Sequence, residues 1–228
     1  MSMLSRTLRL ISTLIAYLAF GLVGASFALI LPFALRRLPE GLAGQRRARR
    51  IVARIWTGYL TAMRWGGIYR VTWHGRERLG RPGQLILVNH PSLMDVLFMI
   101  SAVPEGNCVV KASLLTNPSM RPAIRACGYI PNDASLELIE KTAAVLAEGQ
   151  TLILFPEGTR TGYDGIIRLN RGAVSIGLRG ASVITPVVIR MTPPGLKRGD
   201  PWYKIPPRPY HYDIRVGDDI DPEDYLRR

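Results

Sequence analysis

The sequence predicts an α/β fold, with a mixed and largely buried sheet flanked by helices and preceded by an N-terminal hydrophobic and amphipathic helical membrane anchor. Beyond residue 66, short apolar runs alternate with stretches of helical periodicity, which is typical of α/β domains. Before it, residues 10–35 carry no charge. Because 228 residues can form one sizeable domain and an appendage, we predict a membrane-anchoring helical segment over residues 1–66 and an α/β domain over residues 67–228.

The uncharged N-terminal run lies between Arg9 and the pair Arg36 and Arg37. As a helix rising about 1.5 Å per residue, it is long enough for the ~30 Å hydrocarbon core, and it exceeds the apolar stretch of a secretory signal. Gly24 and Pro32 equally allow a helix that enters one leaflet and returns, so a spanning and a monotopic anchor both remain open. If the run spans, the arginines after it place the α/β domain on the cytoplasmic side.

Positive charge is concentrated in the N-terminal third of the chain. Residues 1–80 contain 13 Lys and Arg against 2 Asp and Glu, whereas residues 81–228 contain 17 against 15. The excess flanks an apolar run, and no nucleic-acid recognition motif accompanies it. Membrane lipids, including anionic lipids, are therefore the expected partners, and nucleic acid is not.

Residues 45–65 form the second part of the predicted anchor. Ile51 and Ile55 belong to an apolar set at helical spacing, while Arg46 and Arg49 fall largely on the opposite side. This pattern favours an amphipathic helix at the membrane interface. The alternative is an ordinary domain helix that covers the sheet.

The remaining elements are predicted from hydrophobic periodicity and from the residues that begin or end helices and strands. Six apolar runs are predicted as strands and four segments as helices, of which residues 135–148 are the clearest because Ser135 can cap the helix and Gly149 ends it. The proline-rich residues 193–209 predict an extended surface loop. The predicted strands are Ile68–Trp73, Leu85–Val88, Cys108–Val110, Thr151–Phe155, Val183–Ile189 and Tyr210–Val216, and the other predicted helices cover residues 92–102, 119–127 and 171–179.

The motif NHPSLMD joins a strand to a helix and carries the first candidate catalytic residues. His90 lies in the turn, and Asp95 lies a little over one turn further on. A ring in the turn can fold back onto the carboxylate, which would fix the imidazole tautomer and leave the other ring nitrogen free to accept a proton. The alternative is a helix-capping His beside an exposed Asp. His74 and His211 have no matching acid, so both are expected to be structural or exposed.

A second motif, FPEGTR, follows a predicted strand about sixty residues later. Glu157, Gly158, Thr159 and Arg160 would lie at the carboxyl end of that strand, where α/β sheets tend to bind ligands. The guanidinium of Arg160 offers a planar fork for phosphate oxygens. Taken alone, EGTR is equally typical of a solvated turn.

In this order the two motifs resemble the glycerolipid acyltransferase family that includes 1-acylglycerol-3-phosphate acyltransferase, over about Ile68 to Arg190. The resemblance implies that His90 is a general base, that Asp95 is its partner, and that no covalent acyl-enzyme forms. His90 would activate an acceptor hydroxyl for attack on a fatty acyl thioester. The residues implied in acceptor binding are Glu157, Gly158 and Thr159, with Lys111 and Arg160 near the acceptor phosphate.

One block departs from the family pattern and leaves the acceptor open. Family members often read G-x-x-x-x-D-R, whereas Gly128–Asp133 is followed here by Ala134. The expected acceptor is a lysophospholipid, 1-acylglycerol-3-phosphate above all, giving phosphatidic acid. The alternatives are an atypical lipid acceptor of a specialised pathway, such as a polyene lipid, or a non-enzymatic basic membrane-surface protein.

The resemblance also implies the co-substrate and the location. The acyl donor would be acyl-CoA or acyl carrier protein, with no metal and no further cofactor, at the inner membrane of a bacterium. Cys108 and Cys127 have no ligand spacing and are expected to be core thiols.

Overall fold

A computed structural model describes residues 3–133, 135–162, 166–196, 206 and 208–226. Its centre is a seven-stranded sheet in the order β1-β7-β6-β2-β5-β3-β4. All neighbours run parallel except β6 and β7. The strands are β1 Tyr69–His74, β2 Gln84–Val88, β3 Asn107–Lys111, β4 Ile130–Asn132, β5 Leu152–Leu154, β6 Val183–Thr192 and β7 Tyr210–Val216.

Eight α-helices accompany the sheet within these residues, and the predicted α/β class is confirmed. Helices α3, α4 and α5 lie on one face of the sheet, and α6 and α7 lie on the other. The helices are α1 Met3–Leu29, α2 Leu31–Leu35, α3 Gly41–Trp65, α4 Asp95–Ala102, α5 Arg121–Cys127, α6 Leu136–Ala147, α7 Arg171–Gly180 and α8 Glu223–Leu226.

Two elements differ from the prediction for local reasons. The edge strand β4 was not predicted, since it has only three residues and includes Pro131, which cannot donate to a ladder and is tolerated at an edge. Helix α4 begins at Asp95 and not at residue 92. The backbone N–H of Ser92 donates to the Asp95 carboxylate at 2.6 Å, which holds the preceding residues in a turn. Of the predicted loop 193–209, residues 197–205 and 207 lie outside the described residues.

Helix α1 is the apolar segment. Residues Leu10–Leu29 are long and apolar enough to cross a membrane, by length and composition only. One side packs on α3, where the rings of Phe20 and Phe27 contact Trp56. The other side is exposed and includes Ile15 and Leu18, which are 60% and 66% exposed. An apolar surface of this kind is typical of membrane association.

Helix α3 packs on α4 and α5. This packing favours the alternative interpretation, that residues 45–65 belong to an ordinary domain helix. The expectation that Arg49 lies on the polar face is wrong, because its side chain is 0% exposed. The guanidinium donates to the carbonyls of Cys127 and Glu105 and to the side chain of Gln150, which replace water around the charge. The domain boundary at residue 66 stays a prediction, and this packing favours grouping α3 with the α/β domain.

Candidate active site

The end of β2 is fixed by its neighbour in the sheet. The side-chain amide of Asn89 donates to the Ile189 carbonyl at 3.0 Å and accepts from the Ile189 N–H at 2.7 Å. These two bonds extend the pairing of β2 with β6 by one residue beyond Val88. The chain therefore leaves the sheet at a defined point, and His90 is the next residue.

The turn after β2 brings His90 and Asp95 together. Their Nδ1 and Oδ2 atoms are 2.9 Å apart, and the Asp95 side chain is 0% exposed while that of His90 is 16% exposed. Burial raises the pKa of Asp95 above its ordinary value, and hydrogen bonds from His90 and Ser92 oppose that rise. Because Nδ1 is engaged by the carboxylate, Nε2 is the nitrogen left to accept a proton. The arrangement suits a base and its orienting partner.

Two further residues complete the surroundings of Asp95. The Ser92 hydroxyl donates to Asp95 Oδ1 at 2.6 Å and lies 3.2 Å from the Tyr212 hydroxyl on β7. The position of Ser92 between His90 and Asp95 could have suggested its role. Tyr212 has no such signal, because 120 residues separate it from Ser92.

Glu157 is turned toward the backbone of the first motif. Its Oε1 accepts from the His90 N–H at 2.8 Å and from the Thr161 hydroxyl at 2.9 Å. Thr161 in turn donates its N–H to the His90 carbonyl at 2.7 Å. The N–H of His90 is thus held by Glu157 of the second motif, and its carbonyl by Thr161, the residue that follows that motif. The implied role of Glu157 in acceptor binding stays a prediction, and the contacts add a structural role that sequence reasoning missed.

We expect Glu157→Ala to lower kcat about tenfold to a hundredfold, because the His90 N–H loses its acceptor and the ring loses its fixed position. Glu157→Gln keeps an oxygen acceptor and should retain most activity. Steady-state kinetics of the two variants test this. Equal losses in both would show that the charge of Glu157 matters, and not the hydrogen bonds that hold His90.

A cavity of about 580 Å³ opens beside His90 and contains most of the predicted site. Lys111 reaches it from the end of β3, while Gly158, Thr159 and Arg160 reach it from the loop after β5. Gly158 has a φ of +66°, a left-handed conformation that favours glycine. The side chains of Lys111 and Arg160 therefore line the same cavity as His90.

The guanidinium of Arg160 also makes a hydrogen bond to the protein backbone. One terminal nitrogen donates to the carbonyl of Leu196 at 2.8 Å, which ties the loop after β5 to the proline-rich segment. Ala134, where an arginine was expected, lies outside the described residues.

The two cysteines behave as core thiols, as predicted. Both are buried and free, and burial raises the pKa of Cys108 and of Cys127 to about 12. Neither is therefore a thiolate at neutral pH.

A second cavity, of about 240 Å³, is almost wholly apolar. It lies between α1, α3 and the turn that follows His90. Leu93 and Met94 of that turn form part of its wall. Phe20 of α1 and Leu196 of the proline-rich segment contribute to its walls.

A model of the acyltransferase family matches residues 70–190, which is more than half of the chain. The chain belongs to the acyltransferase family. Both motifs of this acyltransferase-family protein, and the cavity between them, fall within the matched region.

Several named proteins are similar to this family member. A Chlamydomonas reinhardtii protein named 1-acyl-sn-glycerol-3-phosphate acyltransferase is 24% identical over 152 residues, covering 64% of this chain and 45% of that protein. A Helicobacter pylori protein of the same name is 28% identical over 113 residues, covering 46% of this chain and 48% of that protein. The chain thus spans about half the length of the curated relatives it matches.

A solved structure supports the fold. The crystal structure of the 1-acyl-sn-glycerophosphate (LPA) acyltransferase PlsC from Thermotoga maritima superposes with a TM-score of 0.72 at 20% identity. The superposition covers 94% of this chain and 88% of the PlsC chain. The overall fold is therefore shared with that protein.

Proposed function

We propose that this protein transfers a fatty acyl group from an acyl thioester to the free hydroxyl of 1-acylglycerol-3-phosphate, giving phosphatidic acid. The carrying observation is that His90, held by Asp95, faces the same cavity as Lys111 and Arg160. A hydroxyl at Nε2 of His90 would have its neighbouring phosphate within the reach of Lys111 and Arg160. The names of the similar proteins support this acceptor.

The proposed reaction needs one base and no covalent enzyme intermediate. His90 Nε2 takes the proton of the acceptor hydroxyl as its oxygen attacks the thioester carbonyl. Asp95 stabilises the resulting imidazolium. Collapse of the tetrahedral intermediate breaks the carbon–sulfur bond, and the departing thiolate takes the proton back from His90. The products are the acylated lipid and a free thiol, so the side chain returns to its starting state.

The surroundings suit lipid substrates at a membrane surface. The apolar cavity beside Leu93 and Met94 could receive an acyl chain, and its wall includes helix α1, whose opposite side is exposed and apolar. Arg36 and Arg37 follow the short helix α2 and end the apolar run, which favours anionic lipids as partners and the cytoplasmic side of the membrane for the α/β domain. In a bacterial cell that membrane would be the inner membrane.

Two observations favour a second candidate, the same acyl transfer onto a different lipid acceptor. The chain has Ala134 where an arginine is frequent in the family. The Arg160 guanidinium also gives one of its donors to the Leu196 carbonyl. Fewer donors for a phosphate would suit an acceptor with a less charged headgroup.

The purified full chain in detergent micelles or vesicles can decide between the two. Acyl-CoA and acyl carrier protein would each be supplied with 1-acylglycerol-3-phosphate, other lysophospholipids and a phosphate-free lipid alcohol. Products would be identified by mass spectrometry. Preferred formation of phosphatidic acid supports the proposal. Turnover only on the phosphate-free alcohol would contradict it and favour the second candidate.

We expect Arg160→Ala to raise the KM for 1-acylglycerol-3-phosphate about tenfold to a hundredfold, because a charge-assisted contact to phosphate is lost. The KM for the acyl donor should change little. Arg179→Ala, an exposed arginine in the last turn of α7, is the control. An unchanged acceptor KM in Arg160→Ala would refute the phosphate role.

A further inference from the structure

The hydroxyl of Tyr212 lies deep in the domain, at the far end of the hydrogen bonds that reach His90. Tyr212 is 0% exposed, and its ring packs against Tyr69 and Phe98. Its hydroxyl is 3.2 Å from the Ser92 hydroxyl, which is itself buried. A polar atom placed at this depth needs a hydrogen-bond partner. The partner here is Ser92, whose hydroxyl also contacts Asp95.

The direction of each hydrogen bond follows from counting hydrogens. The single hydroxyl hydrogen of Ser92 goes to Asp95 Oδ1 at 2.6 Å, since a carboxylate can only accept. The Met94 N–H donates to the same hydroxyl oxygen at 3.2 Å. Tyr212 must therefore donate to Ser92. Burial and the nearby Asp95 charge raise the pKa of Tyr212 well above its ordinary value, so the donor keeps its hydrogen at neutral pH.

We propose that Tyr212 is a positioning residue for the His90–Asp95 pair, acting through the Ser92 hydroxyl to orient the Asp95 carboxylate and to lower the proton affinity of the pair. The inference rests on the proposed function and adds a residue on β7, outside both motifs and outside the region matched by the family model. Asp95 Oδ2 already serves His90 and the Ser92 N–H. Its Oδ1 depends on the hydroxyl that Tyr212 holds in place.

The sign of the electrostatic effect is set by the O–H dipole of Tyr212. Its positive end points toward Ser92 and, beyond it, toward Asp95. Removing it makes the potential at the pair more negative, which favours an added proton on whichever of the two groups takes it. A base that holds its proton more tightly needs a higher pH to become active. The titratable groups near Tyr212 are Asp95, Tyr69 and Tyr210, and those on the other side of His90 are Glu157, Cys108, Lys111 and Arg160.

The test is Tyr212→Phe, which removes only the hydroxyl. We expect kcat to fall about threefold to tenfold with the acceptor KM unchanged, and the acidic limb of the pH–kcat/KM profile to move up by roughly half a pH unit. Ser92→Ala should move the limb in the same direction and further. In the double variant Tyr212→Phe should add no further shift, because Tyr212 acts through Ser92.

Tyr69→Phe is the matched control. It removes a buried hydroxyl from the same aromatic cluster, but that hydroxyl donates to the Leu60 carbonyl at 2.9 Å and does not contact Asp95 or Ser92. A merely structural role of Tyr212 would give the same result in both variants, namely lower thermal stability with no change in the pH profile. That result would overturn the proposal.

A second readout does not require turnover. The chain has three histidines, so an NMR titration of the ring signals in the full chain resolves His90 from His74 and His211. In Tyr212→Phe the midpoint of the His90 signal should move to higher pH, while the other two stay fixed. An unmoved His90 midpoint would contradict the role of Tyr212. Wild-type protein without acyl transfer on any acceptor would instead contradict the proposed function.

Discussion

Replacement of His90 by alanine is expected to lower kcat for acyl transfer by about 10²–10⁴-fold, the usual contribution of a general base. Neither of the two carboxylates described next to the ring can take its place. Asp95 is fully buried behind the ring, and the Glu157 carboxylate is engaged by the His90 N–H and the Thr161 hydroxyl. Steady-state assays with saturating donor and acceptor measure the loss directly. Turnover like that of the wild type in purified His90→Ala would refute the base assignment.

The protein should remain folded in this variant. The ring contacts Phe155, with centroids 4.6 Å apart, but the backbone bonds that hold the turn do not involve the imidazole. His211→Ala is the control, since His211 is exposed on the sheet and its ring lies 3.0 Å from the Thr72 hydroxyl. It should keep full activity. If His90→Ala also abolished the protein's biological activity in cells, the hypothesis of a non-enzymatic membrane-surface protein would be contradicted.

Local patterns in the sequence were sufficient for the fold class and for the contact between His90 and Asp95. The two residues are only five positions apart, so the geometry depends on few torsions and is accessible to spacing arguments. The apolar runs that became β2 and β5 are continuous because these strands are covered on both faces.

Contacts between distant segments were not accessible in this way. The hydrogen bonds of Glu157 to His90 and of Tyr212 to Ser92 depend on which strands are neighbours in the sheet. Local sequence patterns do not predict the order of the strands. The same limit explains Arg49. On a helical projection it lies with polar neighbours, yet the carbonyl that accepts from its Nε belongs to Cys127, 78 residues away.

Arg49→Ala is expected to cause a large loss of stability. The Arg49 guanidinium is buried beside two backbone carbonyls, those of Cys127 at 2.7 Å and Glu105 at 3.1 Å, and beside Gln150 at 2.9 Å. Removing it leaves these acceptors without their donors and opens a cavity between α3 and the sheet. A free energy of unfolding lower by about 3–5 kcal/mol is expected, as for other broken buried polar networks.

The adjacent residue provides the matched control. Arg50 pairs with the Glu105 side chain at the surface, where the two side chains are 41% and 49% exposed. Arg50→Ala should change the free energy of unfolding by no more than about 1 kcal/mol, because exposed ion pairs contribute little. Chemical denaturation of both variants in the same detergent measures the difference. Similar values for the two would show that Arg49 is solvated in solution and that α3 does not pack on the domain through this side chain.

Arg49→Met separates the charge from the packing. Methionine restores much of the lost volume but donates no hydrogen bond, so the carbonyls of Cys127 and Glu105 stay without a partner. Burial already lowers the pKa of Arg49, which shows that its charge is held at a desolvation cost. If Arg49→Met recovers most of the stability lost in Arg49→Ala, the main contribution of Arg49 is its volume. If it does not, the guanidinium hydrogen bonds hold α3 to the ends of α5 and β3, and α3 is part of the α/β domain and not of the membrane anchor.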